Sequence, residues 1–469
     1  MIDVKKFRDK ILSIAFQGKL CSSIRDKEAD YTLDQFHRTL KSFEPVDDSE
    51  KLITVPTHWN WSRLAYVTMN HGQIVPKETF SYIDVGTLDN INHCLATKEN
   101  IIEADKAPSR ARKVVEYGDV LYSTVRPYLH NICIVDKKLS YKPIASTAFC
   151  VMNADPSLLI NKYLYYWLLT SEFDKYTNGD FAKGMLYPAI SEKNLLQGPI
   201  PIPPINEQIR IVERIESIFN LLNTIETLQV QYFTNLTILK SKMIDAAIQG
   251  KLTEHLPEDG TGEELYQLVQ EERRKQESLG LIKHEDLCQA ITSKEEPFGI
   301  PKTWKWVRLG DVSYIIRGGS PRPIKQYITQ EVNGINWIKI GDVEKGGKYI
   351  YKAQEKIKPE GEKKSRRVYP GDFLLTNSMS FGRPYISKIE GCIHDGWLLI
   401  RNLNGFDTDY LYYLLSSSFL YNQFVQKASG STVDNLNIEK VKSAIIPLPP
   451  IAEQKRIVIE LNTLLSLFE

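Results

Sequence analysis

Chemistry on this chain is most visible where arginine and asparagine meet glycine. The stretch IIRGGSPRPIK, residues 315 to 325, sets Arg317, Arg322 and Lys325 around Gly318, Gly319 and Ser320. Small residues let a backbone come close to a ligand, and a guanidinium can fork onto guanine or phosphate. TNSMSFGRP, residues 376 to 384, adds Asn377, Ser378 and Arg383, and a carboxamide suits an adenine edge. KKSRRVYPGD, residues 363 to 372, carries Arg366 and Arg367 in the densest basic run, which suits phosphates better than bases. ASGSTVDNL, residues 428 to 436, offers Ser431 and Thr432. Earlier in the chain, matching loops hold His71 and Lys77, then Arg110 and Arg112, then Arg126 and Tyr128, then Lys183 and Tyr187. For any one of these residues a solvated surface or turn role competes. As a matching set they point to a nucleic acid.

Catalytic spacing does not accompany them. There is no GxxxxGK[ST] phosphate loop, no GxGxxG after a strand, no HExxH and no Cys/His ligand cluster. His394-Asp395-Gly396 has no matching nucleophile and reads as a structural turn. Six scattered cysteines without a CxxC pair favour reduced thiols in a cytoplasmic protein. No run of 18 apolar residues suggests a membrane span. Net charge is +1, but residues 301 to 450 hold 22 Lys/Arg against 14 Asp/Glu. One lobe can therefore attract a polyanion while the whole stays near neutral.

The elements that must position these loops occur twice. VPTHWNWSRL at 55 to 64 returns as IPKTWKWVRL at 300 to 309, and YLYY at 163 returns at 410. IPIPPINEQ at 200 to 208 returns as IPLPPIAEQ at 446 to 454, and QGKL at 17 returns at 249. Landmarks in one order at a nearly constant offset mark a duplication. The repeat is circular, because the C-terminus stops where the N-terminus begins. The predicted parts are an N-terminal helix (1–20), a linker (21–55), a first lobe (56–204), a central helix (205–252), a linker with a charged, exposed helix (253–299), a second lobe (300–450) and a C-terminal helix (451–469). Each lobe reads as α+β, with short strands such as DVLYSTV and WLLIRN, followed by one helix around YLYY.

After Pro204 the chain carries Ile211, Ile215, Ile218, Leu222, Ile225, Gln229, Tyr232, Leu236, Leu239, Met243 and Ala246 at alternate steps of four and three. That is the seam of a coiled coil. A helix from 206 to 249 is roughly 65 Å long at 1.5 Å per residue. Its partners are predicted at the chain ends: Val4, Phe7, Ile11 and Ile14, and Ile457, Leu461, Leu464 and Phe468. Gln229 reads as a tolerated polar residue rather than one that sets register.

The Pro-Pro hinges, the QGKL helix ends, the WNWSRL and WKWVRLGDV lobe starts and the GD-x-L strands together resemble the specificity subunit of a type I restriction-modification system. The resemblance covers nearly the whole chain. It implies an α+β fold with two target-recognition domains separated by long conserved helices, which form an antiparallel coiled coil in a pseudo-twofold circular repeat. It implies a non-catalytic subunit whose domains each read half of a bipartite site in double-stranded DNA, and the unlike loops STVRPYL and TNSMSFGRPYI predict that the site is asymmetric. The helices would set the spacing and dock two methyltransferase subunits, with restriction-translocase subunits joining them. No cofactor is expected on this chain. S-adenosylmethionine would sit on the methyltransferases, and ATP and Mg on the motor-nuclease subunits. The competing readings are a tandem protein-interaction scaffold without DNA binding and an unrecognised enzyme in the lobe cleft.

Overall fold

The structure is a computed structural model that describes residues 1–21, 46–179, 188–344, 346–377, 382–428 and 436–468. The chain divides into two compact units, Met1–Gln231 and Tyr232–Glu469. The boundary falls inside one unbroken helix, Ile205–Ile248, within a residue or so of the expected span. No helix among the described residues is long and apolar enough to cross a membrane. All six cysteines are free thiols.

In the first unit, one sheet runs Thr68–Met69, Phe149–Ala154, Val120–Ser123, Ile132–Ile134, antiparallel throughout. The second runs Ile101–Ile102, Phe80–Ile83, Pro143–Ser146, Ala111–Val114, with a parallel central pair. The second unit repeats both orders. Ser313–Arg317, Trp397–Asn402, Phe373–Thr376 and Pro384–Ser387 form the first sheet, extended by Tyr349–Ile350. Glu355–Ile357, Ile335–Ile338, Gly391–Ile393 and Arg366–Val368 form the second, extended by Ile328–Thr329 and again with a parallel central pair. A two-stranded antiparallel ribbon closes each unit, Asn60–Arg63 with Pro199–Ile202 and Lys305–Arg308 with Ile445–Leu448. Prolines are tolerated there because the ribbon has no third strand to serve.

The single helix expected around each YLYY is in fact two. Asn161–Leu168 is followed by Ser171–Asn178, and Thr408–Ser416 by Ser418–Ala428. Thr170 caps the second helix of the first pair, its side chain accepting from the Phe173 amide. The Ser417 hydroxyl likewise accepts from Leu420 N. A hydroxyl residue inside an apolar run can restart a helix, which the hydrophobic period alone does not reveal.

The hinge motif has a direct explanation. Gln208 is fully buried. Its amide donates to Leu158 O (2.8 Å) and Pro203 O (2.9 Å), and its oxygen accepts from Ile160 N (3.0 Å). Gln454 repeats the pattern with Gly405 O (3.0 Å), Pro449 O (2.9 Å) and Asp407 N (2.8 Å). Each glutamine satisfies the carbonyl ahead of the second proline and ties it to the turn before or at the first YLYY helix. The preceding glutamates are also buried: Glu207 meets His58 at 2.9 Å, while Glu453 meets His255 at 2.5 Å and accepts from Trp304 at 2.8 Å.

QGKL ends a helix and docks it. Gly18 (φ +67°) and Gly250 (φ +70°) are left-handed. Lys19 N reaches back to Ile14 O and Lys251 N to Ala246 O, closing a Schellman turn. A Cβ on Gly18 would lie 2.4 Å from Pro56, and one on Gly250 would lie 2.6 Å from Pro301. The lobe-start motif is therefore the seat of the helix end.

The N-terminal helix Val4–Phe16 runs antiparallel to the first half of the long helix. Arg8 bonds Asn223 (2.5 Å) and Glu226 (3.3 Å), and Ile2 exchanges two hydrogen bonds with the Gln229 carboxamide (3.0 and 3.2 Å). Gln229 is half-buried, in keeping with a tolerated, partly solvated residue, and it also ties down the start of the chain. The face differs from the expected one. Val4, Leu12, Ala15 and Phe16 are buried, Ile11 is half-buried, and Phe7 is 52% exposed. Phe16 packs on Tyr163 (4.8 Å) and Trp167 (5.1 Å), and that anchorage turns Phe7 outward. On the long helix Ile211, Ile215 and Leu222 are buried, and Ile218, Ile225, Leu236 and Met243 half-buried, while Tyr232 and Leu239 are exposed. In the second unit Ile457 and Leu461 share a core with Ala247 and Ile248, and Leu464 and Phe468 are half-buried.

The described residues just ahead of each lobe are tied to it. Arg63 is held by Glu50 (2.9 Å) and Gln197 O (3.1 Å), and Arg308 by Glu295 (2.8 Å) and Ser443 O (3.0 Å). Both guanidiniums are buried. The charged helix Gly262–Ser278 is also less exposed than expected, since Leu265, Val269, Gln270 and Arg273 are buried.

Two predictions follow from this packing. Gly250→Ala must accept both a left-handed backbone and the Pro301 collision. It should cost about 2–4 kcal/mol in urea unfolding. Gly280→Ala, at φ +69° with nothing within 4 Å, should cost only about 1–2 kcal/mol. Secondly, Arg308, with the Thr292 backbone and side chain, lowers Glu295 from 4.5 to about 2. A carboxyl so lowered stabilises fully above about pH 4.5 and loses that contribution as pH falls toward 2. Protection factors across residues 283–299, corrected for intrinsic exchange at each pH, should fall over that window, and Glu295→Gln should blunt the fall.

Candidate nucleic-acid interface

In the second unit, the expected contact residues converge on the turn His394–Gly396, which leads into Trp397–Asn402. Arg317 Nε donates to Asp395 O (3.1 Å), Ser320 Oγ to the Asp395 carboxylate (2.8 Å), and Arg322 approaches it at 3.5 Å. Asn377 donates to Asp395 O (2.8 Å), and Ser365 Oγ donates to Ile393 O (2.8 Å). Three loops and the start of the Arg366–Val368 strand thus meet at one sheet end. Arg317, Arg322, Lys325, Arg366 and Arg383 project from it, exposed.

Several expected contacts turn out to hold the scaffold. Gly318 is buried, and a Cβ there would lie 2.1 Å from His394 O. A Cβ on Gly319 would lie 2.7 Å from Lys364 O. These glycines let their loop lie against the His394–Gly396 turn and the end of the Pro359–Lys364 helical turn. Asn377 is buried, with its amide spent on the turn. Arg367 is taken up by Glu390 (2.6 Å) and Glu362 (3.3 Å).

The first unit builds the same end from different residues. Thr124 N donates to Ala148 O (2.8 Å), as Asn377 N does to Gly396 O (3.1 Å). Thr147 N donates to Arg110 O (2.9 Å), which brings Arg110 beside this turn. Arg126 (φ 51°) and His130 (φ 50°) are left-handed and flank an exposed Tyr128. Left-handed non-glycine residues cost free energy and concentrate at functional loops. Lys77 and Arg110 are exposed and Arg112 is half-buried. His71 is half-buried, its imidazole 3.1 Å from the buried Asp119 carboxylate, which also accepts from Asn153 (2.8 Å). Lys183, Tyr187, Ser378, Ser431 and Thr432 lie outside the described residues.

The GD-x-L motif explains its own constancy between the units. Gly118 (φ +95°) and Gly371 (φ +98°) make the turn. Asp119 accepts from Glu116 N (2.7 Å) and Asp372 from Tyr369 N (2.9 Å). Their remaining partners differ: burial raises the Asp119 carboxyl beside His71, whereas Asp372 accepts from Nε and Nη2 of Arg401 (2.8 and 2.6 Å) and holds that guanidinium further up.

A family model, the type I restriction modification DNA specificity domain, matches residues 68–231 and 301–469. The chain belongs to this family. It is 26% identical over 256 residues to the specificity subunit of the Escherichia coli type I restriction enzyme EcoDI, an alignment covering 53% of this chain and 54% of that one. The chain thus spans about half the length of that relative. With the E. coli EcoEI specificity subunit it is 21% identical over 537 aligned positions, covering 97% and 88%. A solved chain from work on complex assembly and conformational transition of the type I R-M system superposes with a TM-score of 0.64 at 25% identity, over 88% of this chain and 92% of that one. The HsdS subunit from Thermoanaerobacter tengcongensis shares the fold, with a TM-score of 0.52 at 24% identity over 89% and 92%.

The separation of scaffold from surface can be measured. Asp372→Ala strands the half-buried Arg401 and should lower unfolding free energy by about 3 kcal/mol. Arg322→Ala, whose side chain is 82% exposed, should change stability by less than about 0.5 kcal/mol.

Proposed function

We propose that each unit reads one half of a bipartite double-stranded DNA site, and that the long helix fixes the separation of the halves. The observation that carries this reading is the recurrence of one sheet end in both units. Both units share the strand orders and the bond that enters the turn, Thr124 N to Ala148 O and Asn377 N to Gly396 O, while the exposed side chains around it differ. Matching scaffolds with different tips suit two different half-sites, so the target is asymmetric. Exposed arginines and lysines supply salt-sensitive phosphate contacts, and the tips supply base discrimination.

In this reading two methyltransferase subunits dock on the helices, and restriction-translocase subunits join that core. The outward residues Phe7, Leu221, Leu228, Val230, Tyr232, Phe233, Ile238 and Leu239 offer apolar surface for docking. S-adenosylmethionine belongs to the methyltransferases, and ATP and Mg to the motor subunits. This chain positions an adenine, flipped from the duplex, for a partner to methylate.

The test is the methylation pattern of genomic DNA from cells carrying the complete system. A gapped, two-part adenine motif with unlike halves is expected. A continuous palindrome would overturn the two-unit reading.

A further inference from the structure

The turn ahead of the central strand holds one side chain that the basic loops do not explain. Asp395 lies two residues before Trp397, which pairs with Thr376. In the first unit Thr147 lies two residues before Phe149, which pairs with Ser123. The following residue accepts the same backbone bond in both units, Gly396 O from Asn377 N and Ala148 O from Thr124 N. Positions 395 and 147 are therefore equivalent in the framework, yet one carries a carboxylate and the other a hydroxyl.

A carboxylate is an odd tenant here. Its side chain is 48% exposed and sits among Arg317, Ser320 and Arg322, the loop proposed to face a polyanion. A negative charge in that place repels phosphate and draws off part of the charge on Arg322. Ser320 occupies one site on Oδ1, and Arg322 approaches Oδ2 only at 3.5 Å. A carboxylate has about four acceptor sites, so capacity remains toward solvent. Base edges present one partner that an acidic acceptor selects, the exocyclic amino group of cytosine N4 or adenine N6.

We propose that Asp395 is a specificity-determining residue of the second unit, accepting a hydrogen bond from an exocyclic amino group of the target base, with Thr147 in the corresponding place in the first. This deepens the DNA-recognition reading and rests on it. The Ser320 and Arg322 contacts orient the carboxylate so that its open side is presented at a fixed angle.

The experiment uses the complex assembled with its methyltransferase subunits. Binding is measured on a duplex carrying the genomic motif, on single-base variants of it, and on a scrambled duplex, over a salt series. Asp395→Ala should weaken motif binding about tenfold or more while leaving scrambled-duplex binding equal or tighter. The lost discrimination should map to one position in one half-site. Thr147→Ala should lose discrimination in the other half. Ser320→Ala, which loosens the loop but keeps the carboxylate, should retain the position-specific preference. Parallel losses on motif and scrambled DNA, no change in either, or a Ser320→Ala variant matching Asp395→Ala would overturn the proposal. The DNA-recognition reading fails separately. It falls if the unmutated complex does not prefer its motif, or if replacing Arg317, Arg322 and Arg383 together leaves affinity and salt slope unchanged.

Discussion

The side-chain amide of Gln208 is fully buried, and so is that of Gln454. A buried carboxamide with unmet bonds costs several times what a single satisfied hydrogen bond contributes. Here each is met three times, by carbonyls and an amide that have no partner in helix or ribbon. The double proline removes two backbone donors and frees the carbonyl of the first proline. The glutamine restores the balance from one turn along the helix. The direction in which the long helix leaves its unit follows from that exchange, and the closing ribbon, the helix pair around YLYY and the hinge become one rigid corner. Each QGKL glycine then seats another helix end against the same unit.

On that corner the two units divide labour between what repeats and what differs. The repeated features are backbone turns, buried arginines with glutamate straps, and aspartates that cap the GD turn. The differing features sit at the outward tips, as with Thr147 against Asp395. Arg401, paired with Asp372, contrasts with Arg322, largely in solvent.

Much of this was legible in the sequence. Repeat spacing pointed to the two-unit architecture and to a long helix where Ile205–Ile248 lies. Strands such as Trp397–Asn402 showed in their apolar runs. Side-chain duty was less legible. Gly318 and Gly319 looked like openings for a ligand, but glycine also serves where a loop packs tightly on a neighbouring turn, and sequence does not separate these uses. Asn377 and Arg367 have the right chemistry for DNA and are held by carbonyl and carboxylate partners far away in the chain. The N-terminal face was misjudged at Phe7 because a heptad count ignores the aromatic seat of Phe16. Asp395 was read only as a turn, because an acidic residue in a basic loop looks like an interruption until its equivalence to Thr147 is seen. The two straps could have been found from Glu50 and Glu295, which keep the same separation from Arg63 and Arg308.

The seat of each QGKL turn also speaks to how the gene can change. At Gly18 and Gly250 the space a Cβ would enter is already filled by a proline ring. Every substitution in the first two bases of a glycine codon adds a side chain or stops translation. These two codons should therefore drift only at their third base, even as codons for the exposed tips vary freely. The duplication carries its own pair of fixed markers, by which the ends of the two copies can be aligned long after the recognition loops have diverged.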